Sequence, residues 1–334
     1  MTRPRAFAIA LARRLGTAAL LFFLVVSLTF ALIRLAPGDP AALLLPPGAS
    51  AADVTRIRGE LGLDRPMAVQ YARWLGSMLR GDMGASIASA RPVTELLAEA
   101  APVSLALGFA SLFLTFAIGI PLGMLQAARR SSWVDRGLTV VTTMVYAAPT
   151  FWLALALVAV FTYGAATLGL PATWRLPAFG LRTPGVQLEG WAAFVDLARH
   201  SVLPVGILAA VGAAGIARYA RSSVADVLGL DFVRTARAKG ASERRVFGRH
   251  VLANVMPSMV VLFALSLPGV VAGSIFVESV FAWPGLGRLT LNAILARDYP
   301  LVMGATAMYS LAVIAANLVA ELVLPLLDPR RETA

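Results

Sequence analysis

RYARSSVADVLGLDFVRTARAKGASERRVFGRHVLANVMP, from Arg218 to Pro257, is a basic segment set between two apolar runs. Eight of its 40 side chains are cationic, and no other segment between apolar runs is as basic. Because Lys and Arg resist translocation, a cationic loop between two membrane spans stays in the cytoplasm. This segment therefore predicts the orientation of the rest of the chain.

The composition of the 334-residue chain is that of a polytopic membrane protein. Hydrophobic residues make up 58% of it and charged residues only 14%, and the mean hydropathy is +0.77. A soluble globular domain carries far more charge. The absence of cysteine excludes a disulfide framework and a thiolate metal site, and two histidines leave little for an imidazole site.

Six apolar runs predict six membrane spans, because each is long enough to cross the hydrocarbon core as a helix. They are Leu15–Ile33, Ala100–Ala128, Gly137–Trp174, His200–Ala217, Val251–Val277 and Tyr299–Ala320. The first is longer than the core of a signal peptide and lacks a nearby A-x-A site, so we expect a retained helix. Pro149 must interrupt the backbone ladder of the third.

The net charge of +11 follows this topology. With the N-terminus inside, the cytoplasmic segments hold 17 of the 29 cationic residues and six of the 18 acidic ones. The outer side is nearly neutral, as the positive-inside rule predicts. Aromatic residues are not interleaved with the cations as they are in a strand-binding groove, so the basic balance does not indicate nucleic acid.

The sequence therefore predicts an all-α integral membrane protein with about six transmembrane helices and a folded external loop after the first. The divisions are a cytoplasmic N-terminal tail at 1–14, a first span at 15–35, an external loop at 36–99 and a core at 100–334. The core holds five spans and the basic loop 218–257, and both termini are cytoplasmic. The external loop contains PGDP at Pro37–Pro40 and RGDMGAS at Arg80–Ser86.

Several kinds of chemistry are missing from the sequence. Lys239 is the single lysine, and it precedes Gly240 outside any G-x-x-x-x-G-K-[ST] pattern, so the chain has no P-loop of its own. The spans are nearly free of the ionisable groups that ion-driven transporters need, and Glu321 lies near the predicted end of the last one. Neither H-E-x-x-H nor G-x-S-x-G occurs, so we assign no catalytic residue and no metal site.

Within the basic loop, Asp231 is a good N-cap and Gly240 a good helix stop, which predicts a two-turn helix over Phe232–Lys239. Ser242 begins a second helix, and Pro257 marks entry into the fifth span within a first turn, where a missing donor is tolerated. The short helix suits docking in a groove of a partner, but a solvated face on anionic membrane lipid explains the pattern equally well.

The segment DFVRTARAKGASERRVFGRHVLANVMP resembles the cytoplasmic-loop motif of ABC importer permeases, in the form used by the dipeptide, oligopeptide and nickel group. The general pattern of that family is E-A-A, three residues, then glycine, and it maps onto Arg234, Thr235, Ala236 and Gly240. Arg and Thr replace Glu and Ala as in the peptide branch. Six further stretches agree: RLAPGDP (34–40), LGLDRP (61–66), RGDMGASI (80–87), WPGLGRL (283–289), RDYPLVMG (297–304) and LLDPR (326–330).

The resemblance implies a type I ABC importer permease fold and the first permease of a pair, in a bacterial cytoplasmic membrane. Its implied partners are a second homologous permease, two ATP-binding subunits that hold ATP and Mg, and an extracytoplasmic solute-binding protein. This chain binds no cofactor itself and is not an enzyme. The implied coupling helix comprises Asp231, Phe232, Val233, Arg234, Thr235, Ala236, Arg237, Ala238 and Lys239, with Gly240 turning the chain out of the contact.

Candidate residues for the solute path and the outer mouth come from the fifth span and the segment after it. The path candidates are Pro268, Gly269, Gly273 and Ser274, although small residues in a membrane helix more often serve helix packing. Glu278, Trp283 and Arg288 are candidates for the mouth that receives the binding protein, and loop folding explains them equally well. The expected cargo is a di- or oligopeptide; nickel, glutathione or an opine-like solute is the alternative, and an ion-driven secondary transporter is the alternative of a different class.

Overall fold

The computed structural model describes residues 3–35, 45, 48–60, 62–272 and 274–327, with only the backbone for residues 3–11, 60, 271–272 and 322–327. Within these ranges the regular structure is helical apart from one isolated antiparallel bridge between Ala85 and Pro92. The predicted all-α class is therefore confirmed. Gly273 and the motif residues Pro37–Pro40 and Asp328–Arg330 lie outside the described residues.

Thirteen α-helices are named here in chain order within the described ranges. They are α1 (Arg3–Leu35), α2 (Ala51–Glu60), α3 (Met67–Leu79), α4 (Val93–Ala128), α5 (Trp133–Ala147), α6 (Thr150–Val158), α7 (Gly190–Leu228), α8 (Asp231–Ala238), α9 (Glu243–Arg245), α10 (Leu252–Ala272), α11 (Ile275–Val280), α12 (Leu286–Leu295) and α13 (Tyr299–Leu327). Two π-helical stretches, Ala159–Tyr163 and Val246–Val251, follow α6 and α9, and a 3₁₀ turn spans Ala172–Trp174.

Five helical segments of the described chain are long and apolar enough to cross a membrane, and one bent pair makes a sixth. The pair is Trp133–Ala147 with Thr150–Tyr163, which meet at an angle of 103°. The bend falls at Ala148 and Pro149, both in extended conformation, because proline lacks an N–H and disfavours a helical residue before it. Pro149 thus interrupts the third span as predicted.

Several boundaries differ from those predicted from the sequence. Helix α7 continues to Leu228, so Arg218 and Arg221 lie within a helix rather than in a loop. Pro257 lies inside α10 and not in a first turn, because the chain is already helical from Glu243 onward. The predicted run to Val277 is divided, since α10 ends at Ala272 and a separate short helix, α11, follows.

The chain forms two compact units, whose boundaries fall within α4, α12 and α13. The first unit comprises Met1–Pro102 and Arg288–Ala315. Its core is aromatic, with Phe30 5.2 Å from Tyr71 and 5.8 Å from Trp74 between ring centroids. The fully buried Asp298 accepts hydrogen bonds from the Ser86 hydroxyl and from the backbone N–H groups of Ile87, Ala88 and Leu301, which fixes the RGDMGAS loop.

The second unit comprises Val103–Gly287 and Ala316–Ala334 and contains both candidate sites. Its helices α4 and α7 pack closely because small residues face each other. A Cβ placed on Gly119 would lie 2.8 Å from the Ile216 Cβ, and one on Gly123 would overlap the carbonyl oxygen of Ala217. Small residues in membrane helices commonly allow such close approach of two backbones. This packing sets one side of the cavity described below.

Candidate coupling helix and solute cavity

Helix α8 is a short helix held between α7 and α9, with only Gly229 and Leu230 separating it from α7. It ends at Ala238, one residue before the predicted end, with Lys239 as its C-cap; the predicted stop residue, Gly240, follows with a φ of +81°. The Gly240 N–H donates to the Arg237 carbonyl at 2.9 Å, and the Ala241 N–H donates to the Ala236 carbonyl at 3.1 Å. This is the hydrogen-bond pattern of a left-handed cap, in which glycine carries no Cβ penalty.

The N-terminus of α8 differs from the prediction. Asp231 is the first residue of the helix and not its N-cap; the capping position belongs to Leu230, whose carbonyl accepts from the Val233 N–H at 3.1 Å. The Asp231 carboxylate lies in the first turn, 3.4 Å from the Arg234 guanidinium. The helix therefore begins one residue earlier than predicted. A carboxylate in the first turn still stabilises the helix, because it lies near the positive end of the helix dipole.

One face of α8 is anchored and the other is free to contact a partner. Val233 is fully buried and packs with Val224, Val246 and Val251. Phe232, Arg234 and Thr235 are exposed. Of the two neighbouring apolar residues of the implied coupling helix, Val233 therefore holds the helix to its own unit, whereas Phe232 is exposed.

Arg237 closes the turn that follows α8. Its Nε and Nη2 donate to the two carboxylate oxygens of Glu243 at 2.7 and 3.0 Å. These hydrogen bonds hold the pKa of Arg237 above its ordinary value, so the guanidinium stays charged. Beside this turn lies a cavity of about 370 Å³, lined by Phe232, Thr235, Ala236, Lys239, Gly240, Ala241, Arg245 and His250.

A buried ion pair that the sequence pattern did not indicate joins α5 to α7. Arg221 donates from Nε and Nη2 to the two Asp135 oxygens, both at 2.8 Å, and the Ser131 N–H donates to the same carboxylate at 3.0 Å. The Asp135 side chain is only 4% exposed. Ser132 caps α5 by accepting from the Asp135 N–H. The spacing Ser132-x-x-Asp135 is a local capping signal, but it does not point to Arg221.

A second cavity, of about 390 Å³, lies among α4, α7 and α10 within the second unit. It is lined by Ser104, Leu107, Gly108, Ser111, Leu112, Thr115, Leu208, Gly212, Ile216, Ser266, Gly269, Val270 and Ser274. Its volume lies within the range of small-molecule sites, and its lining is an apolar wall with hydroxyl groups set into it. We call it the solute cavity.

Two of the four path candidates line the solute cavity. Gly269 has no atom within 4 Å of where a Cβ would lie, so this glycine leaves open space, and Ser274 is half-buried at the end of the cavity. Pro268 lies inside α10 but does not line the cavity. Gly273 is the candidate outside the described residues. The cavity also includes Ser104, Ser111 and Thr115 on α4, where the sequence had shown only an apolar run.

None of the three mouth candidates is fully exposed, as a contact surface for the binding protein would require. Glu278 is fully buried on α11, and Trp283 is 4% exposed within the core of the second unit. Both side chains are therefore covered within the second unit. Arg288, on α12, is half-buried. The Glu278 carboxylate accepts a hydrogen bond from the Ser104 hydroxyl at 2.7 Å, which connects α11 to α4.

The sequence matches two family models. Residues 119–333 match the binding-protein-dependent transport system inner membrane component, and residues 7–108 match the N-terminal part of such membrane components. The oligopeptide transport system permease protein AppB of Bacillus subtilis is 38% identical over 91% of this chain and 93% of its own length. The probable D,D-dipeptide transport system permease protein DdpB of Escherichia coli is 37% identical over 91% of each chain.

The fold has a counterpart among solved structures. An inward-facing form of the MetNI methionine ABC transporter matches 70% of this chain and 97% of its own with a TM-score of 0.50 and 18% identity, which supports the fold alone. The predicted resemblance to ABC importer permeases of the peptide group is confirmed by the family and the relatives. Membership implies a multi-pass inner membrane permease that works with ATPase and substrate-binding partners. The chain belongs to the family of inner membrane components of binding-protein-dependent transport systems.

Proposed function

We propose that this chain is the first of two permease subunits of an ATP-driven importer of di- or oligopeptides. The observation that carries the proposal is that relatives named for oligopeptide and dipeptide transport match it over 91% of its length. In the proposed assembly, a second homologous permease completes the path, two ATP-binding subunits hold ATP and Mg, and an extracytoplasmic solute-binding protein delivers the peptide. Both termini of this chain lie in the cytoplasm.

Helix α8 is the proposed contact with the ATP-binding subunit. It is fastened to its own unit through Val233 and closed by the Gly240 cap, while Phe232, Arg234 and Thr235 are exposed. A short helix of this kind fits a groove on a partner. Only two residues separate α8 from α7, and α7 also lines the solute cavity. A displacement of α8 can therefore be transmitted to the cavity wall through α7.

The solute cavity is the proposed part of the path within this chain. Its apolar wall suits the side chains of a peptide, and the hydroxyl of the half-buried Ser274 suits the amide groups of a peptide backbone. Gly269 and Ser274 are the proposed contacts from the original path candidates. The binding protein is proposed to dock on the segments 36–99 and 281–298, with Arg288 near that surface.

Reconstitution of the whole complex in proteoliposomes tests the proposal. With the binding protein, internal ATP and the tripeptide trialanine outside, we expect accumulation of trialanine and co-purification of ATP-binding subunits with this chain. Omission of ATP is the control and should abolish uptake. Uptake of nickel, glutathione or an opine instead of peptide would contradict the proposed cargo, and accumulation by the chain alone under an ion gradient would contradict the ATP-driven class.

A further inference from the structure

Residues 274–287 form one wall segment beside the solute cavity, and we call them the wall segment. It contains α11, the turn at Phe281–Gly285 and the first residues of α12. Ser104 of α4 holds this segment by hydrogen bonds, and Ser274, the first residue of the segment, lines the cavity itself. The wall segment is therefore connected to the cavity at two points: it is attached at Ser104 and borders the cavity at Ser274.

The connection at Ser104 of α4 is a buried junction of hydrogen bonds. The Ser104 hydroxyl donates to the Glu278 carboxylate at 2.7 Å and accepts from the Leu286 N–H at 2.8 Å. Ser104 is 1% exposed and Glu278 is fully buried. One hydroxyl thus connects α4 both to α11 and to the start of α12.

Gly285 shows how tightly this junction is built. A Cβ on Gly285 would lie 2.5 Å from the Ser104 hydroxyl oxygen and 2.5 Å from a carboxylate oxygen of Glu278. Both contacts are closer than real Cβ atoms allow, so glycine is required here by space and not by backbone conformation. The junction therefore depends on the backbone of the turn approaching the carboxylate directly.

The second connection is Ser274 itself, which caps its own helix only weakly. Ser274 is the N-cap of α11, and its hydroxyl accepts from the Val277 N–H at 3.4 Å, which is long for such a bond. Ser274 is also half-buried and lines the cavity, in contrast to the buried Ser104. Of these two serine hydroxyls, the Ser274 oxygen is consequently the one that a solute N–H group can reach and engage.

Two buried polar atoms of the same segment lack a hydrogen-bond partner. They are the Ser279 hydroxyl oxygen and the Trp283 Nε1, and the Trp283 side chain lies in the hydrophobic core. Burial of a polar group without a partner costs free energy. The wall segment therefore carries two polar groups whose hydrogen bonds are not made within the described residues of this chain.

We propose that the wall segment senses solute: Ser274 contacts N–H groups of a bound peptide, and the Ser104–Glu278 junction passes that contact to the turn at Phe281–Gly285. A peptide N–H that binds the Ser274 oxygen competes with the cap of α11, and the junction holds the far end of α11 while its start is released. Ser104 acts as a positioning residue. The inference rests on the proposed peptide cargo. It adds the residues through which a peptide bound in the solute cavity changes the structure.

The test compares Ser104→Ala with Ser111→Ala in the reconstituted complex. Both serines lie on α4 and line the cavity, but the Ser111 hydroxyl donates to the Leu107 carbonyl of its own helix and does not hold the wall segment. We expect Ser104→Ala to lower the stimulation of ATP hydrolysis by trialanine about fivefold, the effect of one ordinary hydrogen bond. Ser111→Ala should retain that stimulation.

A single cysteine reports the position of the segment, since the chain has none of its own. Phe276 on α11 is 64% exposed, and we choose Phe276→Cys as the reporter. Leu265 on α10 is 58% exposed, so Leu265→Cys is the matched control. Trialanine should change the maleimide labelling rate at residue 276 but not at residue 265, and Ser104→Ala should remove the change. If Ser104→Ala does not fold, Glu278→Gln, which preserves the side-chain shape, should give the same loss.

The outcomes separate the inference from the proposed function. Equal stimulation and equal labelling in Ser104→Ala and Ser111→Ala, with trialanine still transported, would overturn the inference and leave the peptide cargo in place. A wild-type complex that neither transports trialanine nor responds to it would overturn both. Loss of the labelling change in Ser104→Ala alone supports the wall segment as the sensor.

Discussion

Two arginine–carboxylate pairs in the second unit have almost the same geometry and very different surroundings. In each pair an arginine donates from Nε and Nη2 to both oxygens of one carboxylate, Arg221 to Asp135 and Arg237 to Glu243. Asp135 is 4% exposed, whereas Glu243 is 62% exposed. The partners are 86 residues apart in the first pair and six in the second.

The difference shows that hydrogen-bond geometry alone does not decide what a pair does. A buried carboxylate that loses its partner is left with an uncompensated charge, so the Asp135–Arg221 pair locks α5 to α7. In an exposed pair, water competes for the hydrogen bonds and salt screens the charges. Arg237–Glu243 therefore only helps to close the turn after α8. The second unit thus combines a rigid connection between α5 and α7 with a loosely held turn after α8.

Breaking the buried pair should have the largest effect. Arg221→Ala leaves Asp135 buried with the Ser131 N–H, and we expect a loss of about 2 kcal/mol or more in stability. Thermal unfolding of the purified complex in detergent measures this loss. The double variant Asp135→Ala with Arg221→Ala removes the stranded charge and should recover part of the stability; a double variant as unstable as the sum of the two single ones would contradict a direct pair.

An intermediate effect is expected at the cap of α8. Gly240→Ala places a Cβ at a φ of +81°, which costs about 1 kcal/mol of strain and reorients the chain leaving α8. We expect less peptide taken up per ATP hydrolysed, with normal insertion in the membrane. Gly248→Ala is the matched control, because Gly248 has open space around it and no left-handed φ. Equal coupling ratios in the two variants would argue against the role of the cap.

The smallest effect is expected at the exposed pair. Glu243→Gln removes the charge that faces Arg237 but keeps an acceptor, so uptake should change by less than about twofold. The remaining difference should fall further at high salt because exposed charges are screened. Uptake rates at low and high ionic strength check this. A large loss that persists in salt would show that Arg237 and Glu243 do more than close the turn.

Local patterns in the sequence were enough to predict α8, its stop at Gly240 and the break at Pro149. Each depends on one residue whose backbone preference is strong, so the prediction needed no knowledge of neighbours in space. The start of α8 was misplaced by one residue because Asp231 suits both the cap and the first turn. The basic loop was drawn too long because Arg218 and Arg221 were assumed to end the helix, although arginine is tolerated near the end of a membrane helix.

The polar junctions could not be predicted in the same way. Ser104 and Glu278 are 174 residues apart, and Asp135 and Arg221 are 86 apart, so no local spacing relates them. Glu278 was a candidate for the mouth because it directly follows the apolar run predicted as the fifth span, which ends at Val277. The hydrogen bond from the Ser104 hydroxyl and the space left by Gly285, which help to make its burial tolerable, are visible only when the helices are packed.

Cross-linking from α8 to the ATP-binding subunit tests the central proposal most directly. Thr235→Cys places one thiol on the exposed face of α8 in a chain without other cysteines, and Arg130→Cys, an exposed residue of the turn between α4 and α5, is the control. A short thiol-reactive cross-linker should join residue 235 to the ATP-binding subunit in high yield and in a nucleotide-dependent manner, with little product from residue 130. Absence of the product from residue 235, with the complex intact and transporting peptide, would contradict α8 as the point where ATP-driven movement enters this chain.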